Sequence, residues 1–408
     1  MMKIWLKYLI ATLVGLLAGL VIPAGDGSLL SSVAGIVMNM GQYTLLPLIF
    51  FSVAIAAFEL HEEKRLHRVW LKTAGYSLVM VFALSLIGLA GAFLFSPGRI
   101  PLSSETNANV GTVPSFLAIL SSLFTQDAFS TLLSFDFILP ASLFALILGV
   151  AFAYDKSTTK PAVSFFDSLS RILWQINSFF VEFLPLPLIV ASMARVVSIN
   201  KTPRLSVFGP LFGALGFETA IVVLILLPLA LWLLDRKKNP YKTIFALIAP
   251  AIAGLVSGNS YIQAGVAAKH LKESLGVRRR AGAVSLPISL SVGRAGTAMV
   301  TATAFVTILN SYSNLGLGSS AILWMILSVP VTALLLGAAP GSGPIVALTA
   351  LCASYGRGFE SGYILLVPIA LPLAMIAAFI DGISMSAVVA TVASSEGYVQ
   401  PKDIRHFI

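Results

Sequence analysis

SLPISLSVGRAGTAM, residues 285–299, carries Arg294 between Gly293 and Gly296 inside a long apolar segment. In hydrocarbon a helix satisfies its own backbone, whereas a guanidinium there is costly and needs a partner or a polar cavity. Two glycines around an arginine predict a helix that breaks near mid-membrane and turns toward such a cavity. The stretch is therefore read as the functional centre.

The composition around it points to a membrane. The 408 residues are 57% hydrophobic and 11% charged, against about 25% charged in soluble domains, and mean hydropathy is +0.93. The net charge of +9 is spread over short basic links between apolar runs. That is the pattern of topology signals, not of a nucleic-acid surface. One cysteine, Cys352, excludes an internal disulfide and a thiolate metal cluster. His61, His67, His270 and His406 lie in or beside charged segments and form no helical metal pair, so they are expected to be solvated or interfacial. With no histidine or metal cluster in the apolar spans, the chain is not read as an enzyme.

A crossing helix needs about 20 apolar residues, and the chain supplies several. Lys3 and Lys7 precede span one, Ile4–Ile22, which reads as an uncleaved first helix. Span two, Val33–Phe58, is expected to kink at Pro47. The basic link after it, with Lys64, Arg65, Arg68 and Lys72, places itself and the N-terminus in the cytoplasm. Span three is Thr73–Phe95, and Pro114–Ala153 reads as a fragmented fourth element. Span five carries Asp167, Arg171 and Glu182, the first two spaced to pair on one helix face. The link after span five is basic, with Arg195, Lys201 and Arg204, although alternation makes it external. Span six, Leu205–Leu234, contains Glu218.

The pattern then changes. Thr243–Val256 is too short to cross well, Ser257-Gly258-Asn259-Ser260 interrupts it, and basic residues flank both ends of the unit. That reads as a re-entrant hairpin entered from the cytoplasm. Span seven is Ala281–Leu309. A second hairpin breaks at residues 338–345, AAPGSGPI, and span eight, Tyr363–Ala393, holds Asp381 in its interior. Two broken hairpins, each paired with a full span and entering from opposite sides, are the pattern of an inverted-repeat secondary transporter with a site near the midplane. The fold class expected is an all-α polytopic membrane protein with eight transmembrane helices and two re-entrant hairpins.

In order and spacing these features resemble the glutamate/dicarboxylate–sodium symporter family over nearly the whole chain. The resemblance rests on LLPLIFFSVAIA (45–56), ILPASLFALILGVAF (138–152), LDRKKNPYK (234–242), LPISLSVGRAGTAM (286–299), GAAPGSGPI (337–345) and AVVATVASSEG (387–397). It implies a homotrimer in the plasma (inner) membrane, with both termini and the tail 396–408 cytoplasmic. Residues 1–58 and 114–198 would form a scaffold of spans one, two, four and five. Residues 73–95 and 205–395 would form a transport domain that slides as an elevator, gated by the second hairpin. The solute implied is a dicarboxylate or amino acid, with sodium as coupling ion and no other cofactor.

The chain departs from the family where the chemistry lies. The family's Asn-Met-Asp-Gly-Thr run is here Gly293-Arg294-Ala295-Gly296-Thr297, so a sodium-associated aspartate is absent and an arginine stands beside its place. Asp381 falls at the family's sodium-associated asparagine. Ala377 falls at its substrate-clasping arginine, Met385 at a cation-binding aspartate, and Ala374 at the aspartate that takes the amino group.

Arg294 is open to three readings: a snorkelling side chain, a charge replacing a bound cation and pairing with Asp381 or Glu218, or a bidentate ligand for a substrate carboxylate. Asp381 is a structural partner, a cation ligand or a proton carrier, and Glu218 a structural partner or a proton site. Ser260, Thr297 and Ser342 offer hydroxyls to a polar solute, and Gly341 and Gly343 let backbone N–H groups approach an anion. Ser289, Ser291 and Gly293, with Asp381, form a candidate sodium site if span seven unwinds. Proton coupling or exchange, and a non-transporting receptor or channel, are the alternatives to sodium symport.

Overall fold

The computed structural model describes residues 3–22, 27–95, 98–101, 138–202, 205–235, 239–312, 318–336, 343–356 and 358–408. The predicted positions Gly341 and Ser342, and most of the fragmented fourth span, lie outside them.

Among the described residues the regular structure is helical, with short 3-10 helices and one π turn between the α-helices, apart from a single isolated bridge between Val277 and Val399. The helices are α1 Ile4–Val21, α2 Gly27–Gln42, α3 Leu45–Glu62, α4 Leu66–Phe95, α5 Ile138–Ala151, α6 Lys156–Phe183 and α7 Pro185–Asn200. They continue with α8 Gly209–Ile221, a π turn Val222–Leu226, α9 Leu227–Leu234, α10 Pro240–Ala246, α11 Ile248–Ser257 and α12 Ser260–Glu273. The last five are α13 Arg279–Val292, α14 Ala295–Tyr312, α15 Ser319–Leu336, α16 Gly343–Tyr355 and α17 Ala370–Ser395. Six segments are long and apolar enough to cross a bilayer: Ile4–Val21, Leu29–Glu62, Leu66–Phe95, Leu205–Leu234, Arg279–Tyr312 and Gly362–Ser395. The pair α6 and α7, bent by 55°, supplies the fifth predicted span. The all-α polytopic expectation is borne out.

Two boundaries differ from the sequence reading. Span two breaks at Tyr43-Thr44, so Pro47 lies in the first turn of α3, where its missing N–H costs nothing. The charged run after α11 is not all solvated link. Lys269 and His270 lie on α12 and are each 1% exposed, which corrects the expectation for His270. Lys269 is tolerated there because its ammonium meets the Glu182 carboxylate of α6 at 2.5 Å and the Ser178 carbonyl at 3.2 Å.

Without a hydrophobic driving force in lipid, helices join through small residues and short polar contacts. The seam of α4 with α13 and α14 shows both: a Cβ at Gly88 would reach Ala302 Cβ on α14 at 3.0 Å, and the Thr73 hydroxyl meets Ser285 on α13 at 2.9 Å. These contacts hold α13 and α14 side by side with α4, and α17 covers their other flank. The broken span is thus the most enclosed of all, with 94% of its apolar window buried.

The face that carries both chain ends is tied by charge. Lys3 donates to the Ile404 carbonyl at 3.4 Å, and Arg278 N donates to Tyr398 O at 2.9 Å. Asp167 does pair with Arg171, at 2.9 Å, and also joins Arg279 at 2.5 Å. Arg280 reaches Glu59 at 3.3 Å and also bonds Glu63. The Tyr398 hydroxyl donates to Glu63, and burial together with that carboxylate raises the phenol above its ordinary range.

Candidate functional site

Three elements bring the site together: the break between α13 and α14, the tip of the α11–α12 hairpin, and the middle of α17. At the break, Gly293 N closes α13 on Ser289 O at 2.8 Å, and Ala295 N turns back to Gly293 O at 2.8 Å. Arg294 therefore stands where α13 ends and α14 begins, as the two glycines in sequence predicted. Gly296 is needed because a Cβ there would lie 2.7 Å from Ile380 Cβ and 2.8 Å from Asp381 N.

The hairpin tip is built locally. Gly258 ends α11 in the left-handed region at φ +63, which a side chain would strain. Asn259 then caps α12, its side chain accepting from Tyr261 N at 2.9 Å. From α7, Arg195 donates to the Val256 carbonyl at 3.2 Å and to the Ser257 carbonyl at 2.8 Å. A cation on the terminal carbonyls of a helix suits both their unmet acceptors and the dipole. This accounts for one basic residue on the wrong side of the topology rule: Arg195 serves the hairpin, not a surface link.

Arg294 is 5% exposed and Asp381 2%. The guanidinium donates to Ser260 Oγ at the hairpin tip and sits 5.9 Å from the Tyr261 ring centre, within reach of a cation–π attraction. Its Nε is buried without a partner. Asp381 is 3.9 Å from Arg294, so the two are neighbours without a close hydrogen bond. Both Asp381 oxygens are turned elsewhere. Oδ1 accepts from Gly296 N at 2.7 Å and Thr297 N at 3.2 Å, and Oδ2 accepts from the Thr297 hydroxyl at 2.8 Å. Asp381 thus caps α14 from another helix. The carboxylate faces the positive end of α14 and complements that helix dipole, while the guanidinium is held by the hydroxyl of Ser260, the first residue of α12. The reading in which Arg294 pairs with Glu218 is not what the structure shows: Glu218 accepts from Thr303 at 2.8 Å.

The other sequence candidates fall around this centre. Gly343, at the start of α16, lies against Thr297, with a Cβ position 3.4 Å from its hydroxyl oxygen. Ser260, Arg294, Thr297, Gly343 and Asp381 are therefore one cluster. Two of the candidate sodium carbonyls already accept a backbone hydrogen bond. Ser289 O takes Gly293 N, Gly293 O takes Ala295 N, and Ser289 Oγ meets Ser77 on α4 at 3.4 Å. Among the described residues, no three His, Cys, Asp or Glu side chains come together as metal ligands.

Two residues escaped the sequence reading. Tyr261 was hidden because an aromatic next to a serine carries no signal for a cation. Gln263, two residues further along α12, is fully buried, with both amide atoms unpartnered. A Cβ at Gly382 would approach its Cδ at 3.1 Å. A glutamine in an apolar run would have been the signal.

A hairpin tip, a mid-span helix break and an interior carboxylate that meet in a polytopic helical protein define the architecture of a multi-pass membrane protein with a buried polar site. The chain belongs to the sodium:dicarboxylate symporter family, whose profile matches residues 4–395. It is 26% identical over 238 residues to a C4-dicarboxylate transport protein of Anaeromyxobacter sp. (strain K), covering 56% of this chain and 53% of that protein. It is 23% identical over 379 residues to the serine/threonine transporter SstT of Lacticaseibacillus casei (strain BL23), covering 90% of this chain and 78% of that one. The neutral amino acid transporter B(0) of Oryctolagus cuniculus is 23% identical over 357 residues, covering 74% of this chain and 64% of that protein. The match spans about half the length of the dicarboxylate relative.

Proposed function

We propose that the chain is a secondary transporter, not an enzyme, for a small carboxylate-bearing solute, and that Arg294 binds the carboxylate. The observation that carries this reading is the unbalanced guanidinium. Of its donors one goes to Ser260, Nε has none to go to, and its only acidic neighbour among the described residues is committed to α14. A planar fork with spare donors in a dry interior suits a carboxylate bidentately. The family's arginine position on span eight is Ala377 here, and its backbone carbonyl lies against Gly296. The charge lost from α17 is thus returned from the facing helix break. Ser260 and Thr297 supply hydroxyls beside it.

In this reading α4, α8–α9 and α10–α17 form a mobile unit, and α1–α3 with α5–α7 a scaffold, assembled as a trimer in the plasma membrane with cytoplasmic termini. Solute binds between the two hairpin tips, closure of the second excludes water, and the unit moves as an elevator. Membership of a symporter family supports ion coupling. The donor set at the break argues against a sodium ion there, because the one carboxylate has three hydrogen-bond donors and a guanidinium beside it. Arg294 takes the place of that cation. A sodium ion bound elsewhere is the second reading, favoured by the family's description.

Purified protein in proteoliposomes should accumulate labelled dicarboxylates or amino acids under an ion gradient, and Arg294→Met should abolish uptake. Uptake that survives in Arg294→Met, or affinity that depends steeply on sodium in the wild type, would remove Arg294 from the role given to it.

A further inference from the structure

Glu218 lies near the middle of the Leu205–Leu234 span and is 1% exposed. It is remote from Arg294: its partner Thr303 lies nine residues beyond Arg294 along α14, about 13 Å at 1.5 Å per residue. The carboxyl fits a slot on α4, where a Cβ at Gly91 would overlap it. On α4, the residues from Ser77 to Phe95 include no titratable group; on α14 Tyr312 lies at the far end; on α17 there is Asp381. Asp381 contacts Thr297, six residues or about 9 Å along α14 from Thr303. The short helix Leu205–Phe208 and the π turn that flank α8 add none. Arg99 follows Gly98, which lies against Pro210 near the start of α8, eight residues or about 12 Å along that helix from Glu218. Among the described residues, no ion pair joins this carboxyl.

The hydrogen bonds decide its state. Thr303 Oγ1 is near three acceptors: Glu218 Oε2 at 2.8 Å, Met299 O at 3.1 Å and Gly88 O at 3.2 Å. One hydroxyl has one proton to give. An ionised Glu218 would receive that proton and nothing more, with Oε1 buried and unpartnered. A protonated Glu218 donates from Oε2 to Thr303, which then donates to Met299 or Gly88. The neutral acid therefore fits a chain that the carboxylate leaves short of donors, and a buried unpaired charge is costly. The π turn Val222–Leu226 begins four residues after Glu218, and such irregular turns recur at functional sites.

We propose that Glu218 is a proton-binding site, the coupling site of the transporter described above, and the second half of this statement rests on that reading. The proton is taken up as the O–H of Oε2 from one aqueous side and lost from the same oxygen to the other. Infrared difference spectra of the full-length protein, wild type minus Glu218→Gln, should show a protonated carboxyl C=O band at neutral pH. Thr303→Val, which folds with a similar volume, should shift that band without removing it. In proteoliposomes an inward proton gradient should raise wild-type uptake at least tenfold and Glu218→Gln uptake not at all. A difference spectrum that shows an ionised carboxylate instead would overturn the site. Wild-type uptake indifferent to the proton gradient would overturn the coupling. If no carboxylate is taken up under any gradient while the band is present, the solute reading fails and the proton site stands.

Discussion

The helix break around Arg294 and the ionic seam on the face bearing both termini use the same side chains in opposite ways. At the seam, Arg279 and Arg280 are shared among Glu59, Glu63 and Asp167, and Lys72 meets Glu396 at 2.5 Å. These groups are partly wet and acid answers base. At the break, Arg294 and Asp381 are nearly dry, stand 3.9 Å apart, and give their best bonds to other groups. Charges in water can be paired loosely at little gain or loss. A charge in the interior persists only where something fixed holds it. The first N–H groups of α14 do so for Asp381, and the Ser260 hydroxyl and Tyr261 ring for Arg294, whose Nε is left over for a ligand.

The comparison can be broken at its strongest point first. Arg294→Met should lower carboxylate affinity on the order of 100-fold or more, as expected when charge-assisted hydrogen bonds worth about 1.5–3 kcal/mol each are lost. Calorimetric titration of the purified chain with dicarboxylates and amino acids reads this directly. Next, Asp381→Ala should destabilise more than Asp381→Asn by about 2 kcal/mol, because Ala leaves the α14 N–H groups without an acceptor. The Asn oxygen still accepts from Gly296 and Thr297, and its amide donates to the Thr297 hydroxyl. Equal thermal stabilities for the two variants would show that the cap does not hold the break.

At the seam the effects shrink. Arg280→Ala should cost at most about 1 kcal/mol, and the loss should fade in high salt. A larger, salt-independent loss would make the seam more like the break. Smallest is the cap of α6, where Asp155 accepts from Ser157 N and Thr158 N at 3.2 Å each. Hydrogen bonds from Ser157 and Thr158 lower this carboxyl from near 3.8 to about 2. Its contribution is complete above the ordinary aspartate value and fades as pH falls toward about 2. Amide exchange at the first turn of α6 should accelerate in Asp155→Ala at neutral pH. No change would mean that the cap is not used.

Much of this was legible from local chemistry. Gly293 and Gly296 around Arg294 announced the break, since an arginine in an apolar run must be housed. The interruption at Ser257-Gly258-Asn259-Ser260 announced the hairpin tip because Gly258 and Asn259 are the residues that end and cap helices. Lys269 and His270 were misplaced because a charge run looks the same whether it is wet or matched across the bundle. Only the position of Glu182 on α6 shows which applies.

The sequence by itself determined that the chain crosses a membrane repeatedly, where its helices break, and that Arg294, Glu218 and Asp381 lie within apolar spans. Those follow from hydropathy and from residues that act on their own backbone. Which carboxylate faces Arg294 was decided by tertiary structure alone. Asp381 was drawn to the free N–H groups of α14 and Glu218 to Thr303, because a buried polar group goes to the donor that packing brings within reach. Packing follows from how the helices meet, and no stretch of the chain contains that information locally.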